Sequence, residues 1–232
     1  MDRAAGSGRG TGTVAAVFVK ICATTSAADA ELAVDAGADA IGVIFAPSRR
    51  QVSVEEAKAI VAAVPDHVLT VGVFRDHLAR EVLEIVDEVG LRAAQLHGAE
   101  TPATSAQVHE RVPVLIRGMA ADDPQLDEID RHGADILLLD APTPGGGEPF
   151  DWSLVGDLTR RHRVLLAGGL RPDTVADAIR TVRPWGVDVA SGVEASFGKK
   201  DPDAVRAFVA AAKAADPGTD PHTPLADLWT AP

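Results

Sequence analysis

Short apolar segments rich in Val, Ile and Leu alternate along the chain with longer segments in which Ala, Leu and Val recur every three or four positions. The first pattern predicts buried strands, and the second predicts helices that pack one face against a core. The starts of the eight apolar segments lie 21 to 28 residues apart, a spacing typical of consecutive strand–helix units. The predicted strands are Val17–Cys22, Ala40–Phe45, Val68–Phe74, Arg92–His97, Pro113–Gly118, Asp135–Asp140, Arg163–Gly168 and Gly186–Ser191.

Capping signals mark the ends of the predicted helices. Ser53 and Glu56 have the spacing of a capping box. Four prolines stand one residue inside a helix start, namely Pro102, Pro124, Pro172 and Pro202. Three glycines stand directly after a helical segment, where a left-handed residue turns the chain toward the next strand, namely Gly37, Gly90 and Gly133.

Eight strand–helix units in about 200 residues predict an α/β fold, a single (β/α)8 TIM barrel over residues 14–215. An open doubly wound sheet has fewer strands and a G-x-G-x-x-G motif after its first one, whereas Cys22-Ala23-Thr24 stands there. Residues 1–13, which are Gly-rich and polar, are interpreted as a flexible leader, and residues 216–232, rich in Pro, Asp and Thr, as a loose tail.

Composition narrows the class of partner. A chain of 232 residues with 46% hydrophobic residues suffices for one well-buried domain. The net charge of −12 argues against nucleic acid or an anionic membrane as a partner, and no segment approaches the roughly 20 apolar residues of a membrane span. A single cysteine excludes an internal disulfide framework and fits a cytoplasmic protein. A phosphorylated small molecule stays compatible, because backbone N–H groups can bind phosphate.

In a barrel of this kind, catalytic residues lie at the carboxyl ends of the strands. Cys22 ends the first predicted strand and shares a face with Lys20, so a thiol with a lowered pKa would serve as a base there. Asp140 follows four apolar residues, and desolvation would raise its pKa and suit it to donating a proton. The alternatives are that Cys22 is a small buried apolar residue and that Asp140 caps the next loop.

Three glycine-rich segments follow the sixth, seventh and eighth predicted strands: Gly145-Gly146-Gly147, Gly168-Gly169 and Gly192. Glycine lets the backbone approach a ligand closely, and barrels often bind phosphate in the loops after their last two strands. Each segment alone is compatible with an ordinary turn. Together, at one end of a barrel, they predict a phosphate site.

The chain resembles the phosphoribosylanthranilate isomerases along nearly all of residues 17–212. The motifs that carry the resemblance are Lys20-Ile21-Cys22, Gln95-Leu96-His97-Gly98, Leu138-Leu139-Asp140, Phe150-Asp151-Trp152, Ala167-Gly168-Gly169-Leu170, Gly186-Val187-Asp188-Val189 and Ser191-Gly192-Val193-Glu194. Their order and spacing make the resemblance specific.

The resemblance implies an Amadori rearrangement of N-(5-phosphoribosyl)anthranilate in tryptophan biosynthesis, with no cofactor and no metal. It implies that Asp140 is the general acid toward the ring oxygen and that Cys22 is the base toward the C2 proton. The residues expected to bind substrate are Lys20, Arg50, His97 and Asp188. The residues expected to bind its phosphate are Gly145, Gly146, Gly147, Gly168, Gly169, Ser191 and Gly192. For Asp188 the alternative is a structural corner like that of Asp39 and Asp135.

The sequence departs from the family pattern beside these residues. Ala23 stands in place of a glycine, Thr24 in place of an apolar residue, Arg49 in place of a proline and Ala190 in place of a serine, and Pro144-Gly145-Gly146-Gly147 replaces Gly-Gly-Thr-Gly. These departures leave open a paralogue that isomerises another aminosugar phosphate and a phosphosugar-binding barrel without turnover.

Two further enzyme classes use a barrel, and each needs residues that this sequence does not offer at the expected strand ends. The histidine-pathway isomerase uses two aspartates, so Cys22 argues against it. A barrel aldolase needs a Schiff-base lysine at a strand end, and Lys20, the only lysine in a predicted strand, is expected to lie deeper. Family members occur as monomers and as homodimers, and both states stay open.

Overall fold

A computed structural model of the chain describes residues 17–141 and 151–215. Eight parallel strands close into a barrel in which each strand pairs with its sequence neighbours and β1 pairs with β8. The strands are β1 Phe18–Ile21, β2 Ala40–Ile44, β3 Leu69–Phe74, β4 Ala93–Leu96, β5 Val114–Ala120, β6 Ile136–Asp140, β7 Val164–Leu166 and β8 Gly186–Val189. The predicted barrel is therefore confirmed. The predicted leader, the predicted tail and Gly145, Gly146 and Gly147 lie outside the described residues.

Helices follow the strands around the barrel. The α-helices are α1 Ala27–Asp35, α2 Val54–Ala62, α3 Ala79–Val89, α4 Pro102–His109, α5 Leu158–Arg161, α6 Val175–Val182 and α7 Pro202–Ala214. Three 3₁₀ helices cover Pro124–His132, Trp152–Val155 and Ser191–Val193. None of the helices in the described part of the chain is both long and apolar enough to cross a bilayer.

The capping predictions hold with two exceptions. Ser53 and Glu56 form the capping box of α2, and prolines begin α4 and α7. Pro124 begins a 3₁₀ helix instead of an α-helix. The prediction for Pro172 is wrong, because α6 begins only at Val175. The N–H of Arg171 donates to Thr174 Oγ1 over 3.0 Å, and this bond closes a turn that holds Pro172 ahead of the helix.

Aspartates at the amino end of the barrel tie neighbouring strands together. Asp39 accepts a hydrogen bond from the N–H of Val19 over 2.7 Å, and Asp135 accepts one from the N–H of Leu115 over 2.8 Å. Asp188 does not belong to this class, because it lies within β8, directly opposite Lys20 of β1. The corner interpretation of Asp188 is therefore wrong.

The strands alternate between two apolar layers. One layer packs against the helices, and the other fills the barrel interior with side chains such as Phe18, Ile136 and Leu138. Because successive side chains of a strand point to opposite faces, the same alternation places Lys20 and Asp140 on the interior face, above this layer. At the amino end the ring of Trp185 stacks on Phe18 with 4.4 Å between centroids. Apolar side chains thus fill the barrel interior toward its amino end, and polar side chains line it at its carboxyl end.

A short antiparallel hairpin follows β8 and was not predicted. Its strands are β9 Glu194–Ser196 and β10 Lys199–Lys200. Lys20 is consequently not the only lysine within a strand. The hairpin matters for the site, because it carries two buried charged side chains, those of Glu194 and Lys200, to the carboxyl end of the barrel.

Candidate active site

The carboxyl ends of β6, β7 and β8 surround a cavity of about 70 Å³. Six residues singled out from the sequence line it: Asp140, Gly168, Gly169, Asp188, Ser191 and Gly192. The loops after β7 and β8 converge at this cavity, as predicted, whereas the predicted glycine-rich loop after β6 lies outside the described residues.

The side chains of Cys22 and Lys20 lie next to each other at the carboxyl end of β1. Gly42 of β2 makes room for both: a Cβ atom built there would lie 2.9 Å from Cys22 Sγ and 3.2 Å from Lys20 Nζ. The two side chains therefore share one face, as predicted, and any side chain at position 42 would displace them.

Burial raises the pKa of the Cys22 thiol, and the nearby ammonium of Lys20 offsets this only in part. The expectation of a lowered pKa is wrong. The reason is that the thiol is enclosed, while the charge of Lys20 is already compensated by Asp188. Lys20 Nζ donates to Asp188 Oδ1 over 2.9 Å, and both side chains are buried. In the substrate-free protein the thiol is protonated at neutral pH.

Asp140 ends β6 at the cavity. Burial raises the pKa of its carboxyl to about 6, although Oδ1 accepts a 2.8 Å hydrogen bond from the N–H of Ala141, which favours the charged form. The predicted rise in pKa is confirmed. The alternative that Asp140 caps the next loop is supported by this hydrogen bond to Ala141. Near neutrality a fraction of Asp140 keeps the proton that a general acid needs.

His97 directly follows β4, and its ring is neutral. Burial, together with the charges of Lys20 and Arg117, lowers its pKa to about 4. Gln95 Nε2 lies 3.0 Å from His97 Nδ1; with the amide as donor, the ring proton lies on Nε2. That atom is buried and has no hydrogen-bond partner among the described residues. His97 therefore offers one uncommitted N–H group to a ligand.

Arg50, in the loop after β2, is already paired. Its Nε and Nη2 atoms donate to the two carboxylate oxygens of Glu194, each over 2.8 Å, and its Cζ atom lies 3.8 Å from the centroid of Phe197. Glu194 was missed as a site residue, although it stands in the motif that begins at Ser191. Lys200 was missed too, because a charged residue in a segment without apolar–polar alternation does not indicate a buried position.

A further buried ion pair supports the loop that follows His97. Arg117 Nη1 donates to Glu100 Oε2 over 3.0 Å, and Arg117 Nη2 donates to the carbonyl of Gly98 over 2.7 Å. Glu100 also accepts from the N–H of Gly98 over 2.8 Å. This pair was not predicted, because its partners come from different strand–helix units.

Glycine is required where the loops after β7 and β8 meet. Gly168 and Gly169 have φ of +82° and +68°, values that residues other than glycine rarely adopt. A Cβ atom on Gly192 would lie 1.9 Å from the carbonyl oxygen of Leu170. These residues keep bare backbone along the cavity, which suits an anionic ligand.

The family model for N-(5'phosphoribosyl)anthranilate (PRA) isomerase matches residues 19–211. This chain belongs to the PRA isomerase family. The PRA isomerase of Pelobacter propionicus is 42% identical over 202 residues, which cover 85% of this chain and 96% of that protein.

Solved PRA isomerase structures share the architecture. The Thermus thermophilus enzyme superposes with a TM-score of 0.79 at 39% identity, covering 84% of this chain and 98% of that one. A PRA isomerase in complex with reduced 1-(o-carboxyphenylamino)-1-deoxyribulose 5-phosphate superposes with a TM-score of 0.77 at 38% identity, covering 85% and 98%.

One departure from the PRA isomerase pattern has a backbone consequence. Ala23, which directly follows Cys22, adopts φ +58°, a left-handed conformation that disfavours a Cβ atom. Thr24 is buried, and its hydroxyl contacts the carbonyl of Ile21 at 3.4 Å. Ala190 contributes its carbonyl to Lys200 over 3.0 Å, a contact that any residue could make.

Within residues 17–141 and 151–215, no three His, Cys, Asp or Glu side chains are grouped as metal ligands. What the described residues bring together is a carboxyl with a raised pKa, a thiol beside a buried ion pair, a neutral imidazole donor and a glycine-lined cavity. This set of groups suits proton transfer on an anionic substrate.

Proposed function

We propose that this protein isomerises N-(5'-phosphoribosyl)anthranilate to 1-(o-carboxyphenylamino)-1-deoxyribulose 5-phosphate, a step of tryptophan biosynthesis that takes place in the cytoplasm. The observation that carries the proposal is the placement of Cys22 and Asp140 at the carboxyl end of a barrel of the PRA isomerase family. The substrate is a phosphorylated small molecule, and both a monomer and a homodimer are compatible with the site.

Asp140 acts first, as the general acid. Its carboxyl donates a proton to the ring oxygen of the ribose, the C1–O bond breaks, and the nitrogen lone pair forms a C1=N bond. The product of this step is an open-chain Schiff base. A pKa of about 6 keeps part of the Asp140 population protonated at physiological pH.

Cys22 acts second, as the general base. The thiolate takes the proton from C2, the C–H electrons form a C1=C2 bond, and the C=N π electrons return to nitrogen. The resulting enolamine becomes a ketone when its hydroxyl loses a proton and C1 gains one. The ammonium of Lys20 has a larger effect on the thiol than that of Lys200 and stabilises the thiolate.

The remaining groups bind the two ends of the substrate. The backbone at Gly168, Gly169, Ser191 and Gly192 holds the phosphate, and the expectation that Gly145, Gly146 and Gly147 bind it as well stays a prediction. Arg50 pairs with the carboxylate of the aromatic ring, because a guanidinium has a second pair of N–H groups besides the pair that Glu194 occupies. His97 donates its free N–H to the sugar, and Asp188 keeps Lys20 charged beneath the thiol.

The test follows the fluorescence of freshly generated substrate in the presence of the purified protein. The wild type is expected to accelerate the decay far above the blank, and Cys22→Ala and Asp140→Asn are each expected to lose roughly 10²- to 10⁴-fold in kcat. Glu88→Gln, on an exposed surface pair, serves as the control and keeps full activity. A folded wild type without turnover contradicts the proposal and favours another aminosugar phosphate or a binding role.

A further inference from the structure

We propose that Glu194 is a positioning residue that orients Arg50 toward the carboxylate of the substrate, and that Lys200 anchors Glu194 to the strand ends beside Cys22. This inference rests on the proposed function and deepens it, because it makes recognition of the carboxylate depend on a residue that does not touch it.

The orientation of Arg50 is fixed from two sides. One edge of its guanidinium, Nε and Nη2, is bonded to both oxygens of Glu194. One face lies on Phe197, whose ring also receives Arg49 at 4.1 Å. The remaining edge, Nη1 and the second N–H of Nη2, forms another fork of the geometry that a carboxylate accepts. Glu194 thereby determines which edge of Arg50 a ligand meets.

Glu194 is itself held in place by buried contacts. Its side chain is 5% exposed, and Oε1 lies 3.6 Å from Lys200 Nζ. The ammonium of Lys200 is fully buried and donates to the carbonyl of Cys22 over 2.6 Å and to that of Ala190 over 3.0 Å. The Thr25 hydroxyl donates to the carbonyl of Gly198 over 2.5 Å and fixes the tip of the hairpin. Arg50 is in this way linked to the ends of β1 and β8.

The charges of Arg50, Glu194 and Lys200 indicate that Glu194 positions Arg50 and does not contact the substrate. Glu194 carries a negative charge and would repel an anionic substrate, yet both of its oxygens are committed to cations. With Arg50 and Lys200 on either side, the group keeps one net positive charge for a ligand. An arginine that is already held loses less side-chain freedom when a carboxylate binds than a mobile one does. Removing Glu194 is therefore expected to weaken carboxylate binding more than it slows chemistry.

The test compares two substrates, N-(5-phosphoribosyl)anthranilate and the analogue made from aniline, which lacks the carboxylate. For Glu194→Gln we expect KM for the carboxylated substrate to rise about tenfold, the effect of one weakened charge-assisted contact, with kcat nearly unchanged. The kinetics of the aniline analogue should stay at the wild-type level. Glu194→Gln added to Arg50→Ala should cause no further loss, because both changes remove the same interaction.

Two variants separate positioning from stability. Asp135→Asn, at the opposite end of the barrel, makes the same carboxylate-to-amide change; it should lower the melting temperature and leave both KM values alone. Phe197→Ala changes a side chain that is 48% exposed, so it preserves folding if Glu194→Gln does not. It should raise KM for the carboxylated substrate alone.

Equal losses on both substrates, or a loss that adds to that of Arg50→Ala, would overturn the positioning role while leaving the isomerase assignment intact. A wild type inactive on both substrates would contradict the proposed function and this inference with it.

Discussion

Burial acts in opposite senses on the two residues proposed to transfer protons. It raises the pKa of Asp140 to about 6, which helps an acid that must start protonated. It also raises the pKa of Cys22, which hinders a base that must start as a thiolate. The reactive form, with protonated Asp140 and ionised Cys22, is therefore a minor population of the free enzyme at every pH.

The dependence of kcat/KM on pH should reflect this combination. Below pH about 6, Asp140 is protonated and the thiolate fraction rises tenfold with each pH unit, so kcat/KM rises. Between the two pKa values the gain in thiolate cancels the loss of protonated acid, and a plateau results. Above the pKa of Cys22 only the acid changes, and kcat/KM falls. The chain has one cysteine, so thiolate absorbance in the ultraviolet assigns the alkaline limb; strong absorbance at neutral pH would contradict this account.

Ala23 is expected to lower the stability of the protein through its backbone. With φ of +58°, Ala23→Gly should raise the free energy of unfolding, by about 1 kcal/mol at most, in urea titrations with an unchanged slope. Ala36, which ends α1 with φ of −74°, provides the control, because Ala36→Gly should lower stability. Equal losses in both variants would show that the left-handed conformation carries no cost.

At the scale of the elements, the sequence reveals local patterns but not the pairing of residues that lie far apart along the chain. The eight barrel strands could be predicted, every end to within two residues, because apolar segments recur at regular intervals along the chain. The hairpin of β9 and β10 could not, since its strands have only three and two residues and are too short to show an alternating pattern. The pair of Arg50 and Glu194 spans 144 positions, and only closure of the barrel brings its members together. The positions of Cys22 and Asp140 at predicted strand ends made them candidates and the resemblance assigned their roles, whereas the raised pKa of the thiol depends on its enclosure.

The loops after β7 and β8 depend on close contact at Gly192. A methyl group there would lie 1.9 Å from the carbonyl oxygen of Leu170, so Gly192→Ala should push the loops apart and raise KM by roughly tenfold or more through lost phosphate contacts. Inhibition by inorganic phosphate should weaken in parallel. Gly90→Ala is the control, because Gly90 lies far from the cavity in the turn after α3, has a positive φ of +77° and has open space around it; the change should cost stability without changing KM. An unchanged KM in Gly192→Ala would argue against a phosphate site there.

At the scale of the whole molecule, contacts that stabilise the barrel lie at its amino end, and the residues proposed for chemistry lie at its carboxyl end. The amino end is closed by Trp185 on Phe18 and by the aspartates Asp39 and Asp135, whereas the carboxyl end holds the cavity. The chain carries a net charge of −12, yet buried cations, among them Lys20 and Lys200, lie at that end. Because Asp188 compensates Lys20, the net positive charge that an anionic substrate meets at the mouth of the barrel comes from Arg50 and Lys200 beside Glu194.

The most direct measurement of the central claim is the turnover of N-(5-phosphoribosyl)anthranilate in deuterated water, followed by mass spectrometry and NMR of the product. Isomerisation through an enolamine predicts a product with the substrate's composition, a ketone at C2 and one solvent deuterium at C1. Recovery of unchanged substrate, or of free anthranilate and ribose phosphate from hydrolysis, would contradict the account.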